Sequence, residues 1–372
     1  MVDLLSRLGR LESPSLEPRS QEPVFALLEE ALAEAGYRSR RIRGLTGASS
    51  GGQLLAVPTA RHRAKGAAFQ LLLGHVDTVW EQGTLARMPV ALADGRLSGP
   101  GVFDMKGGIV QAVFVLRALR ELGLEPPATP ILFLNSDEEV GSGESTRAIV
   151  RLARCMQRVF VLEPALGPEG KLKTARKGVG RFTLTVHGKA AHAGLAPEEG
   201  ASAIVGMAHA ILQLQALGNS GRGITVNVGV VSGGTRGNVV AAEARAEIDV
   251  RVTTREDGIA VERAIRGLQP VTPGTRIVIE GSVDRLPLER TPRNRELFAQ
   301  AATAAEELGI ALGEGTAGGG SDGNTTSLHA ATLDGLGAVG DGAHAVHEFV
   351  FVDRLPERAA LLALLLLAPV SR

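Results

Sequence analysis

The sequence has a single cysteine, Cys155, in 372 residues. An intramolecular disulfide is therefore excluded, and so is any thiolate-rich zinc or iron–sulfur site. Aromatic residues make up only 3% of the chain, so stacking platforms for bases or sugars are scarce. Charge of one sign is not in excess: forty Lys and Arg balance forty Asp and Glu. Nothing sequence-wide draws the chain to nucleic acid or to an anionic membrane. Long hydrophobic runs are missing as well. The N-terminus, Met1 to Arg7, lacks the continuous apolar segment of a signal peptide. The longest apolar run, residues 359–368, is stopped by Pro369 and is too short to span a bilayer. Apolar on all sides, it reads as a helix buried in a core. The expectation is a cytoplasmic protein with no membrane or nucleic-acid partner. If it binds metal, the ligands must come from its eight histidines and its acids.

What is present is an ordinary globular mix, 44% apolar and 22% charged, long enough for two domains at roughly 150 residues each. Residues 22–35 carry Val24, Leu27, Leu28, Ala31, Leu32 and Ala35 at helical spacing, and Gly36 follows as a stop. Residues 53–57 and 68–73 read as strands, and residues 107–122 as a helix. The short continuous apolar runs 131–134 and 159–162 suit strands buried on both faces, as in a mostly parallel sheet. Strands alternating with helices imply an α/β architecture. The middle of the chain differs. Residues 181–187 alternate as a half-buried strand, 201–217 are helical, 224–231 and 242–252 are strands, 257–268 are helical, and 276–280 form a strand. That order, β-α-β-β-α-β, is the ferredoxin-like arrangement. The pattern of the first part resumes with a helix at 295–308, a glycine-rich stretch, an extended segment near 333–339 and the final helix. The implied organisation is one domain of residues 1–177 and 286–372, interrupted by an inserted domain of residues 178–285.

Four segments carry polar chemistry. In Leu73-Gly74-His75-Val76-Asp77 an apolar strand ends in a histidine and an acid two residues apart, on one face of the strand. A ligating histidine usually donates its second ring N–H to a carboxylate, which Asp77 could supply; a strand-end turn with surface polar residues is the plainer reading. Asp104, in Gly99-Pro100-Gly101-Val102-Phe103-Asp104-Met105-Lys106-Gly107-Gly108, lies just before a helix and could equally be its N-cap. In Ile131-Leu132-Phe133-Leu134-Asn135-Ser136-Asp137-Glu138-Glu139 a buried strand runs into three acids. Their mutual repulsion would be relieved by a cation. Glu138 and Glu139 must point in different directions, so one can ligate while the other acts as a base; a solvated loop is the alternative. Glu163 ends the run Val159-Phe160-Val161-Leu162. Three of these segments fall at the C-terminal ends of core strands, where open α/β sheets bind ligands. Carboxylates with imidazole suit Zn2+ or a similar divalent ion.

Gly74-His75-Val76-Asp77-Thr78-Val79, Gly101-Val102-Phe103-Asp104-Met105-Lys106-Gly107-Gly108, Asp137-Glu138-Glu139-Val140-Gly141-Ser142 and Ala191-His192-Ala193-Gly194 together resemble one family in order and spacing. It is the dinuclear zinc peptidases and amidohydrolases that include carboxypeptidase G, aminoacylase, acetylornithine deacetylase and succinyl-diaminopimelate desuccinylase. Gly318-Gly319-Gly320-Ser321-Asp322-Gly323-Asn324 and the whole pattern look most like the carboxypeptidase G branch. The resemblance implies a zinc-exopeptidase-like catalytic domain and an inserted lid and dimerisation domain. It implies two Zn2+ per subunit, with Co2+ or Mn2+ as substitutes: His75 and Glu163 on one, Glu139 and a C-terminal histidine on the other, and Asp104 bridging. Asp77 would orient His75. Glu138 would be the general base for a hydroxide shared by the two ions. In Gly342-Ala343-His344-Ala345-Val346-His347-Glu348 the family places the ligand four residues before a glutamate, which selects His344, with Ala345 replacing the usual hydroxyl residue. His347 is the second candidate. His192 would reach the active site of a partner subunit and stabilise the oxyanion, which implies a homodimer through the inserted domain; His62 and His209 read as solvated loop histidines. Asn238 would approach the substrate, and Arg285 with the loop around Gly319 would hold its free carboxylate. Arg285 reads equally as a surface arginine at the hinge, and Arg251 as part of an ion pair inside the domain.

The implied activity is hydrolysis of an amide or peptide bond next to a free carboxylate, in a small peptide. An N-acyl-amino-acid deacylase of the acetylornithine or succinyl-diaminopimelate type is the alternative, and a catalytically silent metal-binding scaffold the alternative of another class. Nucleotide binding through Gly99-Pro100-Gly101 is disfavoured by its spacing and by Asp104, which would repel phosphate.

Overall fold

The computed structural model of the chain describes residues 1–44, 51–59 and 68–370; His62 lies outside the described residues. The chain divides into two compact units. The first comprises Met1–Ala175, Arg290–Thr316 and Ser321–Arg372, and the second Arg176–Glu289 and Ala317–Gly320. The glycine-rich segment thus departs from the division expected at 286. Its backbone is held within the second unit: Lys177 N–H donates to Ala317 O at 3.1 Å, and the Arg176 guanidinium donates to Gly319 O and Gly320 O.

The first unit is built on a six-stranded sheet in the order Tyr37–Ile42, Gln53–Pro58, Thr129–Asn135, Phe69–His75, Arg158–Val161, Ala331–Leu333. The last four strands pair in parallel. Gln53–Pro58 runs antiparallel to Thr129–Asn135, and Tyr37–Ile42 antiparallel to Gln53–Pro58. The sheet is therefore mixed, with three parallel pairings and two antiparallel ones. Side-chain alternation divides the core. Leu71, Leu73, Ile131, Phe133, Val159 and Val161 pack on one face with Ile149 and Ala330. Leu72, Leu132, Leu134 and Phe160 pack on the other with Val110, Val113, Leu362 and Leu366. Both faces are covered, which is why these strands lack the polar alternate positions of a solvated sheet.

The helix Arg354–Leu367 contributes Leu361, Leu362, Leu365 and Leu366 to this core. Among the described residues, no helix is long and apolar enough to cross a membrane. The first long helix spans Pro18–Glu34, starting four residues before the apolar pattern does. Its first turn buries a polar side chain instead: Gln21 donates to the carbonyls of Pro14, Ser15 and Ser136. A helix at Val2–Gly9 and a four-stranded antiparallel sheet of Gly340–Asp341, Phe349–Phe351, Arg96–Ser98 and Ala91–Ala93 were not expected.

In the second unit, strand, helix, strand, strand, helix and strand follow one another as Gly178–His187, Ala203–Gln215, Thr225–Gly233, Glu243–Val252, Arg255–Arg266 and Arg276–Arg285. The sheet order is Thr225–Gly233, Glu243–Val252, Gly178–His187, Arg276–Arg285, antiparallel throughout. Glu243–Val252 alternates buried and open positions, and Ala246, Ile248 and Val250 meet Met207, Val261 and Ile265 in a separate core. Ser202 and Thr254 cap the two helices by accepting from Val205 N–H and Asp257 N–H. Arg251 pairs with Asp249 at 2.8 Å, and His209, expected in a loop, is exposed on the helix Ala203–Gln215.

The helix Gly107–Glu121 starts tight against the strand end that leads to Glu163. A Cβ on Gly108 would lie 2.0 Å from Leu162 O, so only glycine fits. Replacing Gly by Ala in a helix normally adds up to about 1 kcal/mol; here the clash reverses the sign. Gly108→Ala is expected to lower the unfolding free energy by about 3 kcal/mol, the upper end of overpacking costs, as read from the urea midpoint. A neutral or stabilising substitution would contradict this packing.

Candidate metal centre

Three adjacent parallel strands end at one place. His75 closes Phe69–His75. Ser136 to Glu139 follow Thr129–Asn135. Glu163 lies two residues past Arg158–Val161. Backbone pairing carries these strands right to the site: Val76 N–H donates to Asn135 O and Leu162 N–H to Leu73 O, each at 2.9 Å. Asp104 enters from the turn Val102–Lys106, with φ −114° and ψ 96°, and makes no capping bond to the helix that follows. The N-cap reading of Asp104 is thereby excluded. His344 comes from the loop before Phe349–Phe351, with φ 61°, a left-handed backbone uncommon outside glycine.

The two carboxylate oxygens of Asp104 face different histidines. Oδ1 is 3.4 Å from His75 Nε2, and Oδ2 is 3.4 Å from His344 Nε2. Glu163 Oε1 stands on the first side, 3.6 Å from His75 Nε2. Glu139 Oε2 stands on the second, 3.2 Å from His344 Nε2. Glu138 completes a potential ligand group with His75 and Glu163, and His75, Asp104 and Glu139 form another; within each, the ligand atoms lie within 4.8 Å of one another. His75 thus belongs to both groups, so proximity alone does not assign each ligand; the ion pairs divide the cluster into two halves about Asp104. These pairs run through His344, whose side chain is 53% exposed; His347, also exposed, makes neither of them. His192, Asn238, Arg285 and Gly319 belong to the second unit.

Asp77 faces the Nδ1 side of the His75 ring with both its backbone carbonyl, at 3.0 Å, and its carboxylate Oδ1, at 3.5 Å. Its carboxylate also accepts the N–H groups of Glu138 and Glu139 and the hydroxyl of Ser15. Asp137, the first of the three consecutive acids, accepts Glu144 N–H and Ser145 N–H and is a structural residue. Sequence reasoning missed Lys173, whose Nζ is 3.7 Å from Glu163 Oε2. It used Glu348 only as a marker for the histidine. In the structure Glu348 is fully buried and accepts N–H groups from Gly101, Phe103 and Asp104 and from the Trp80 indole, at 2.8–3.0 Å. It shapes the backbone on which Asp104 stands.

The electrostatics show a demand for positive charge. Burial disfavours the His75 imidazolium, but Asp104, Asp77 and Glu163 outweigh it and hold its pKa well above the ordinary value. Asp104 and Glu139 push His344 up to about 10. Burial works against the Asp104 carboxylate, yet His344 and His75 hold it far below the usual range. Burial raises Glu139. Asp104 Oδ1 is buried with no hydrogen-bond partner among the described residues. Imidazole and carboxylate oxygens form a donor set that fits divalent cations, and cations would neutralise these acids while the rings stayed neutral.

A family model described as peptidase family M20/M25/M40 matches residues 71–368. The chain belongs to that family. It is a metal-dependent hydrolase with a candidate dinuclear metal site. Carboxypeptidase G2 of Pseudomonas sp. (strain RS-16) is 27% identical over 372 residues, covering 99% of this chain and 88% of that enzyme. Among solved structures, aminopeptidase PepT from Bacillus cereus superimposes with a TM-score of 0.81 at 22% identity, covering 98% of this chain and 96% of the other. A dinuclear metal binding peptidase of the M20 family from Bacillus subtilis gives 0.69 at 16% identity and 98% coverage of both chains. At these identities the likeness establishes an α/β fold of the M20 peptidase type.

Glu348→Ala would leave three backbone donors and the Trp80 indole without an acceptor. At about 1–3 kcal/mol for an unsatisfied buried group, less where water enters, a loss of about 3 kcal/mol is expected by urea unfolding, with fewer metal ions retained per subunit on metal analysis. Wild-type stability with full metal content would refute this role.

Proposed function

We propose that the protein is a glutamate-carboxypeptidase-like exopeptidase that cleaves the amide bond next to a free carboxylate in small peptides, with two Zn2+ per subunit and Co2+ or Mn2+ as substitutes. The observation that carries the reading is Asp104, whose two carboxylate oxygens face His75 and His344 as a bridging carboxylate would. His75 and Glu163 would hold one ion, His344 and Glu139 the other. Bound there, the ions would polarise the scissile carbonyl and lower the pKa of water towards roughly 7. Glu138, whose N–H is fixed by Asp77, takes the proton of the attacking water and returns it to the leaving amine. The choice of carboxypeptidase G chemistry is supported by the relative from Pseudomonas, which aligns over nearly the whole chain.

In this reading the second unit is a ferredoxin-like lid and dimerisation domain. Arg285 holds the substrate carboxylate in a bidentate fork. Support comes from its side chain lying against the glycine-rich loop: a Cβ on Gly320 would meet Arg285 Cδ at 2.8 Å. Gly319 and Asn238 line the same substrate. His192 donates to the oxyanion in the partner subunit. Its Nδ1 accepts Gly194 N–H and Leu195 N–H, which leaves Nε2 to carry the proton of the neutral ring. The homodimer is supported by the strand Thr225–Gly233, which lies at the edge of its sheet and exposes Val230 and Val231, and by Leu212 of the neighbouring helix, 68% exposed.

The same centre serves N-acyl-amino-acid deacylation, so purified, metal-analysed protein is to be assayed on C-terminal glutamyl peptides and on N-acyl amino acids. Preference for the peptides is expected; exclusive turnover of N-acetyl or N-succinyl substrates would replace the peptidase reading. Glu138→Ala is expected to retain the metal and lose at least about 100-fold in kcat. Retained turnover would remove Glu138 as the base. His344→Ala is expected to lose one ion, and His347→Ala none. Full activity in a monomer, measured by sedimentation, would refute the role of His192.

A further inference from the structure

The turn that carries Glu138 and Glu139 is bracketed by one buried carboxylate from a distant part of the chain. Asp322, 3% exposed, opens the short helix Asp322–Ser327. Its Oδ2 accepts the Asn135 amide Nδ2–H at 2.7 Å, and its Oδ1 accepts the Ser142 hydroxyl. Asn135 is the last residue of its strand, just before the turn; Ser142 is the residue just after it, with φ 57°. Both bracket residues are themselves tied to the site. Asn135 donates a second bond to Ser145 Oγ, and its carbonyl accepts Val76 N–H, between His75 and Asp77. Ser142 N–H donates to Asp137 O at 2.7 Å. The helix bearing Asp322 is fixed in turn by a capping box between Ser321 and Asn324, and Ser321 donates to Asp334 Oδ2 at 2.6 Å.

A carboxylate is the side chain for this task. It offers two acceptors in one rigid plane, and the partners on either side both arrive as donors. An apolar residue in its place would leave Asn135 and Ser142 without their acceptor in a buried site. The Glu138–Val140 stretch contains no buried residue. Asp77 holds its N–H groups from one side, and Asp322 holds its two ends.

We propose that Asp322 is a positioning residue for the hydrolysis, acting through Asn135 and Ser142 to fix the Glu138–Glu139 turn relative to His75 and Asp104. This rests on the reading of Glu138 as the base. Removing the bracket deletes no metal ligand: Glu139 stays tethered through its ion and His344, while Glu138, the base in this reading, drifts, and a displacement of about 1 Å at a reacting group costs on the order of 100-fold. The effect falls on kcat rather than KM, because the substrate contacts proposed above do not involve the turn.

The test uses the full-length, metal-loaded protein as wild type, D322A, D322N, S142A and D322A/S142A, with kcat, KM, bound metal and amide hydrogen exchange measured on each. D322A is expected to lower kcat about 100-fold, with KM within about three-fold and metal content unchanged. D322N is expected to recover most of this: its amide oxygen accepts from Ser142, and once the Asn135 amide turns over, its NH2 donates to Asn135 Oδ1, which has no partner in the structure among the described residues. The double variant should be no worse than D322A, because both changes cut the same link. Exchange over residues 136–141 should quicken about ten-fold or more in D322A while the strand Phe69–His75 is unaffected. D322A with wild-type kcat and unaltered exchange overturns the proposal, as does a loss that merely tracks lost metal. If D322A does not fold, S142A decides: a fall of about ten-fold in kcat with faster exchange in the turn supports the bracket, and neither change refutes it. A wild-type protein that hydrolyses neither peptides nor N-acyl amino acids refutes the functional reading alone, and the exchange measurements then decide the bracket by themselves.

Discussion

Four carboxylates of like charge, Asp104, Glu138, Glu139 and Glu163, are held within one small region at the end of a sheet. Two unit charges about 4 Å apart repel by about 4 kcal/mol at the effective dielectric of a protein surface, and by more in a drier interior. Such an arrangement persists only if positive charge stands among the acids and if the backbone beneath each is fixed from outside. The histidines show the first condition: the acids around them drive both rings towards the charged form. The rest of the first unit supplies the second.

The acids of this region fall into two sets by what they touch. One set points at the cluster. The other, Asp77, Asp137, Asp322 and Glu348, accepts hydrogen bonds from the loops that carry the first. Charge is expensive to bury, and an acceptor surrounded by backbone N–H groups is the arrangement that offsets the cost. Glu348 is the clearest case. Burial raises its pKa despite four donors, yet it supplies acceptors that no neutral side chain of that length could give to Gly101, Phe103 and Asp104 at once. Rigidity here comes from these polar links as much as from the leucine-rich sheet below, whose function is to bring three strand ends to one edge.

Much of this could be read in the sequence. Within strands Thr129–Asn135 and Arg158–Val161 the runs Pro130 to Leu134 and Val159 to Val161 are wholly apolar because both faces are covered, and a polar residue soon after such a run stands out. His75, Glu138, Glu139 and Glu163 were legible for that reason. The helices and strands of the second unit were legible because alternation is clean in Glu243–Val252 and the helical period is clear in Arg255–Arg266. Strands of two or three residues, such as Gly340–Asp341 and Ala91–Ala93, are too short to show a period. Gln53–Pro58 reads as a strand, but nothing in its side chains records that its neighbour runs the other way. Asp322 and Ser142 are 180 residues apart, and Glu348 and Asp104 are 244 apart. Partnerships at that range leave no local spacing to read. Asp77 was found, but the division of labour between its carbonyl and its carboxylate depends on atomic distances and not on residue type.

The order in which the first unit is written along the chain has a consequence for its birth on the ribosome. Its sheet gains its last strand, Ala331–Leu333, only after the whole second unit has been passed, and His344 and Glu348 follow later still. A domain generally folds as a unit during synthesis, the earlier one first. Here the second unit is continuous apart from Ala317–Gly320, while the first must wait with its edge beside Arg158–Val161 open and its acids unpaired by the second histidine. The nascent chain therefore carries all four carboxylates for nearly half its length before the cluster is complete. An unfinished polypeptide holds the pieces of a hydrolytic centre without being one.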